Sequence, residues 1–237
     1  MAVGVVVLLL FLIIRFTKLP RHADQDHALN LGRALKRMFA VPRYREGVIA
    51  QFFYVGVQIM CWTFIIQYGT RIFVQQGMAE QEAEVLSQQY NIVAMAIFCV
   101  SRFVCTFLLK YFSPGKLLMT LAIGGAFLTA GVIAFQDIWG LYCLVGVSAC
   151  MSLMFPTIYG IALQGLGDDA KFGAAGLIMA ILGGSILPPL QAALIDCQTL
   201  FGMPAVNVSF ILPLICFLVI IHYGYRSYSV HQKKASA

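Results

Sequence analysis

Long apolar stretches, separated by short charged connections, dominate this chain of 237 residues. Six of them, at 47–70, 85–109, 117–136, 138–167, 172–195 and 197–225, are each 20 residues or longer and together hold a single charge, Arg102. Twenty residues of helix rise about 30 Å, the thickness of a bilayer's hydrocarbon core. No water is available there, so every backbone N–H and C=O must be satisfied within the segment. Runs of this length therefore predict membrane-spanning helices, and not the roughly ten-residue alternation of a membrane barrel. A seventh apolar run, residues 2–14, reaches only about 20 Å. Its charges, Arg15, Lys18 and Arg21, follow the run, whereas a secretory signal carries them in front. Residues 1–16 are thus expected to be the end of a helix that starts upstream. A cytoplasmic linker over 17–46, six transmembrane helices over 47–225 and a cytoplasmic tail over 226–237 would follow.

Composition agrees: 60% of residues are hydrophobic and 11% charged, against about 25% charged in a soluble domain. Charge placement gives the orientation. With Arg15 inside, 14 of the 16 Lys and Arg residues fall in inner segments, Arg71 alone lies outside, and Arg102 sits within a span. That asymmetry follows the positive-inside rule with a cytoplasmic C-terminus, and it accounts for the net charge of +6 through membrane lipid, without nucleic acid. In the linker, Leu31, Ala34, Leu35, Met38 and Phe39 recur at helical spacing opposite Arg33, Lys36 and Arg37, the pattern of a helix lying in the membrane interface. The seven cysteines show no CxxC pair or metal spacing, and no metal or cofactor is expected. Asn207-Val208-Ser209 matches a glycosylation pattern but abuts a span and is read as chance.

Every Asp and Glu falls in a connection or near a helix end, and the four histidines lie towards the cytoplasmic side. No catalytic set can be assembled, so the chain is not expected to be an enzyme. Nor does it hold the mid-membrane carboxylate on which ion coupling commonly rests. Polar and aromatic residues nevertheless gather on single helix faces. Gln51, Tyr54, Gln58 and Trp62 follow spacings of 3, 4 and 4, which at about 100° per residue confines them to an arc of about 80°. Asn91, Met95, Phe98 and Arg102 repeat the pattern in the second span, and Ser148, Ser152, Phe155 and Tyr159 in the fourth. Interhelical packing is one reading of these stripes. A sugar site, where amides bond hydroxyls and rings cover apolar sugar faces, is the other. Arg102 either snorkels to the inner surface or forms a gating ion pair. The fifth span carries Gly173, Gly176, Gly183 and Gly184 ahead of Pro188 and Pro189, a pattern of close packing and also of moving or site-lining helices in transporters.

Residues 51–58 (QFFYVGVQ) with Cys61-Trp62, Ser101-Arg102-Phe103, Phe155-Pro156-Thr157-Ile158, Lys171-Phe172-Gly173, and Gly183-Gly184 with Pro189 and Asp196 resemble the bacterial L-fucose:proton symporter group of the major facilitator superfamily. The resemblance runs in order along essentially the whole chain. It implies an all-α membrane protein: the six-helix C-terminal half-bundle of a major facilitator transporter, plus the end of the preceding helix. It further implies proton-coupled transport of a monosaccharide across the bacterial inner membrane by alternating access. The implied partners are a sugar, a proton and an N-terminal six-helix half. Phe98 and Phe155 would line the cavity, with Gln51, Tyr54, Gln58, Trp62 and Asn91 as further sugar contacts and Arg102, Gly183, Gly184, Pro188 and Pro189 as gating or structural positions. A member of that family has Tyr where this chain has Phe155, so one hydroxyl is missing. The alternative is a non-transporting half-bundle that dimerises or scaffolds a partner.

The charge asymmetry makes topology testable. A reporter fused after Ala237 should report the cytoplasm and one inserted beside Glu82 the exterior; both on one side would refute the map.

Overall fold

The computed structural model describes residues 37–235 apart from 198 and 201. The opening apolar run at 1–16 and most of the expected linker helix lie outside the described residues. Of its apolar face, Met38 is buried against Tyr44, Ala162 and Leu177, whereas Phe39 is exposed.

Among the described residues, six helical spans are long and apolar enough to cross a membrane. The first is α1 (Pro42–Gln75), which begins ahead of the uncharged stretch because Pro42 takes a first-turn position where no N–H is needed. The second is α2 (Glu80–Leu108), with Glu80 and Glu82 in its first turn, where acidic groups suit the helix dipole. The third is α3 (Pro114–Ala134). The fourth is divided into α4 (Ile138–Met151) and α5 (Met154–Leu163). Pro156 cannot donate to the Ser152 carbonyl, so a regular ladder cannot run through this point. The fifth comprises α6 (Ala170–Met179), a 3-10 turn (Ala180–Leu182) and α7 (Gly183–Ile195). Its change of pitch precedes Gly183, and Pro188 and Pro189 lie inside α7.

The sixth span departs most from the apolar pattern. Ahead of its helix, the described residues form a two-residue antiparallel pair, β1 (Thr199–Leu200) and β2 (Met203–Pro204). Gly202 has a φ of 76°, a left-handed value that suits glycine. Helix resumes as a short α8 (Ala205–Ser209), and α9 (Ile211–Ala235) continues past Tyr225, the last residue of the uncharged stretch.

α1 is the hub, packing against the second, fourth, fifth and sixth spans, while α3 fills the space between α4 and α9. Glycines permit the closest approaches. A Cβ on Gly183 would overlap the Phe52 carbonyl, and one on Gly56 would overlap the Leu187 side chain. One end of the bundle is tied by Arg37–Asp169 at 3.0 Å, by Arg43 Nη1 donating to Gln164 at 3.4 Å, and by an ion pair between Arg226 and Glu46. At the other end rings form a ladder: Phe73–Tyr90 at 5.8 Å, Tyr90–Tyr142 at 6.2 Å and Tyr142–Trp139 at 5.9 Å. Exposed Trp139 and Tyr142 suit the water–lipid boundary.

That second end is also held by Asn207. Its Nδ2 donates to the carbonyls of Val132 (3.1 Å) and Phe135 (3.2 Å), its Oδ1 accepts from Arg71 (2.9 Å), and the Tyr68 hydroxyl donates to Phe135 O at 2.6 Å. These side chains satisfy acceptors that the end of α3 leaves without intrahelical partners. Asn207 is 2% exposed, enclosed in this network.

The contact between α1 and α7 sets a stability test. Gly183→Ala would press a methyl group onto a backbone carbonyl that cannot rotate away, at a cost of about 1–3 kcal/mol. Its thermal midpoint, read as loss of monodisperse protein in detergent, should fall clearly. Gly160→Ala, at an open helical position, should leave it unchanged or slightly higher.

Candidate functional site

The three mixed stripes converge where α1, α2 and the broken fourth span meet. Within α1 the stripe divides in two. Gln51 and Tyr54 are fully buried. The Tyr54 hydroxyl donates to Met151 O at 3.0 Å, while both polar atoms of the Gln51 amide have no partner among the described residues. Gln58 and Trp62, one and two turns further on, are half-buried and reach the open face. A helical wheel groups all four, but α1 has neighbours on most sides, so small differences in angle and height decide which residue is covered.

Trp62 joins all three stripes. Its indole N–H donates to Ser148 Oγ at 3.2 Å, and its ring meets Phe98 edge-on with centroids 5.0 Å apart. The Arg102 guanidinium lies 5.9 Å from the Phe98 ring. Arg102 is exposed, lies over an aromatic face and has no carboxylate partner among the described residues. One turn before Phe98, Met95 is 44% exposed, and Asn91 is half-buried with a buried Oδ1 that has no partner among the described residues. On the fourth span, Ser148 and Ser152 are buried, and Ser152 Oγ donates back to Ala149 O at 2.8 Å. Half-buried Phe155 meets Tyr54 at 6.1 Å and lies nearly parallel to Tyr159 at 6.4 Å and 11°.

The structure thus brings Trp62, Phe98, Arg102 and Ser148 into one chain of contacts, with Tyr54, Phe155 and Tyr159 in a second. Gly183 is buried against α1, Gly184 and Pro188 are half-buried, and Pro189 is exposed. Chemically, the open face offers rings and neutral amides, a surface suited to hydroxylated, partly apolar molecules. Two cavities, of about 430 Å³ beside Met78 and Glu82 and about 480 Å³ beside Phe135 and Trp139, contain none of these residues. The candidate site is accordingly an open surface of the bundle. The described carboxylates all stay near helix ends, Glu46 in the first turns of α1, Asp137 just before α4 and Asp196 just after α7 among them. Reading the sequence missed Asn207, Tyr68 and Tyr44, whose hydroxyl donates to Gly173 O at 3.1 Å. Their one signal was a polar group in an apolar segment, which must find a partner.

Six apolar helices in this arrangement match one half of the twelve-helix major facilitator superfamily fold. Within that superfamily the chain is homologous to the L-fucose–proton symporters. It is 51% identical over 230 residues to the L-fucose-proton symporter of Haemophilus influenzae, an alignment covering 97% of this chain and 52% of that protein. The Escherichia coli L-fucose-proton symporter is 32% identical over 225 residues, with 93% and 49% covered. A glucose/galactose transporter of Brucella abortus is 30% identical over 178 residues, with 75% and 40% covered. The crystal structure of the major facilitator transporter FucP in the outward conformation superposes with a TM-score of 0.79 at 30% identity, over 94% of this chain and 52% of that one. No family model matches the chain. It spans about half the length of the curated relatives it matches.

Proposed function

We propose that this chain is the C-terminal half of a proton-coupled monosaccharide transporter of the bacterial inner membrane, with its C-terminus in the cytoplasm. Its substrate is L-fucose or a sugar of similar shape. The observation that carries this reading is the half-buried set Gln58, Trp62, Asn91, Phe98 and Phe155, gathered on an open face of a bundle homologous to sugar symporters. The rings cover the apolar face of the sugar and the amides bond its hydroxyls, while Gln51 and Tyr54 lie behind them. A second six-helix bundle closes the site from the other side, and rocking of the two bundles exposes it alternately to each side of the membrane. Proton coupling belongs to that second bundle, because no described span of this chain carries a carboxylate at mid-depth.

The chain has two tryptophans, so Trp139→Phe leaves Trp62 as a reporter of the site. Titration of this variant in nanodiscs with L-fucose should give a saturable change in fluorescence, and L-glucose a weaker one. Gln58→Ala should weaken binding about tenfold, the loss expected when a sugar hydroxyl is left unpaired. Gln67→Ala, roughly half a turn away around α1, should change little. Phe155→Tyr should alter the ranking of sugars. An absent response to every monosaccharide would favour a non-transporting, scaffolding role.

Coupling is tested separately. Vesicles containing only this 237-residue chain should show no sugar-dependent proton uptake; uptake would place the coupling group within these spans.

A further inference from the structure

The fourth span is broken at mid-course, and one buried side chain of α1 lies at the break. The helix stops at Met151 and restarts at Met154, inside the apolar part of the bundle, with Leu153 at φ −107° and ψ −7° between the two parts. Breaking a helix here is costly unless side chains take over the freed backbone groups, because water is scarce. Met151 O, a last-turn acceptor of α4, receives the Tyr54 hydroxyl at 3.0 Å, whereas Leu153 O keeps an ordinary helical bond from Thr157 N–H at 3.2 Å and takes the Thr157 hydroxyl at 2.8 Å besides. The residue that caps the break also touches the ring beyond it, since Tyr54 meets Phe155 edge-on at 6.1 Å and 65°. Tyr54 is fully buried and its hydroxyl already engaged, so it has neither the exposure nor the free proton to serve as a sugar contact.

α1 also grips α4 on the near side of the break, through Trp62 and Ser148. Beyond it, α5 carries the stacked pair Phe155 and Tyr159. The direction α5 takes after Met151 therefore determines where that pair stands relative to Trp62 and Phe98. We propose that Tyr54 is a positioning residue: it holds the break in the fourth span at one angle and thereby fixes the pose of Phe155 towards the substrate. This rests on the sugar-transport reading for its consequence, though not for its geometry.

The test has one arm that involves no sugar. Tyr54→Phe keeps the ring and removes only the hydroxyl. Amide hydrogen exchange across 152–157, measured on the full chain in nanodiscs, should rise about two- to tenfold, the change one net hydrogen bond is worth. Tyr68→Phe, which likewise removes a hydroxyl from a backbone carbonyl, should leave exchange across 152–157 at the wild-type level. In the second arm, Trp62 fluorescence should show that Tyr54→Phe changes the ranking of monosaccharides while Tyr68→Phe does not. Unchanged exchange in Tyr54→Phe overturns the proposal, as does raised exchange with an unaltered ranking. A wild-type chain that responds to no sugar defeats the transport reading, and the exchange arm alone then decides whether Tyr54 holds the break.

Discussion

The rest of this bundle depends on how closely α1 packs against the broken fourth and fifth spans. Its segment 51–56 touches both: the Phe52 carbonyl lies against Gly183, Tyr54 caps Met151, and Gly56 receives Leu187. In a membrane the lipid tails are as apolar as the side chains, so helices associate through close packing and satisfied polar groups more than through expulsion of water. Small residues at these crossings let α1 act as a central post. Without them, the neighbouring helices would have to stand further off and the hydrogen bonds to α1 would be lost.

Polar groups inside the bundle follow the same logic. A helix that ends within or near hydrocarbon leaves carbonyls that cost several kcal/mol each if bare. Here Tyr68 and Asn207 cover the end of α3, Tyr54 the end of α4, and Tyr44 the Gly173 carbonyl. Tyr68, Asn207 and Tyr54 thus permit a helix end and a break that would otherwise be expensive, while Tyr44 ties α1 to a carbonyl within α6. The amide of Gln51, one turn before Tyr54, has no partner among the described residues, and neither do Asn91 Oδ1, Gln191 Oε1 and the Tyr223 hydroxyl.

The aromatic contacts link this framework to the open face. Edge-on contacts such as Trp62–Phe98 and Tyr54–Phe155 contribute about 0.5–1.5 kcal/mol each beyond burial, and they hold rings in defined orientations. Rings fixed in this way offer a surface whose shape is set before any ligand arrives. Under the proposed function, that surface is one wall of the sugar site and the second bundle supplies its counterpart.

The class of protein and its six spans were legible in the sequence, because length and apolarity are properties of each segment alone and the bilayer imposes both. The mixed stripes were legible too, since a 3.6-residue period turns spacing directly into a face. The sequence could not divide those stripes into covered and uncovered residues: Gln51 and Tyr54 share an arc with Gln58 and Trp62 but not a fate, and only the neighbours around α1 decide that. It also misplaced the start of the sixth span, where Gly202 and Pro204 turn an uncharged segment into a short strand pair. Asn207, dismissed on its motif, proved central because its partners come from α1 and α3, far away along the chain. Periodicity describes one helix about its own axis. Which groups are buried, capped or left open depends on other helices, and that was decided only by the tertiary structure.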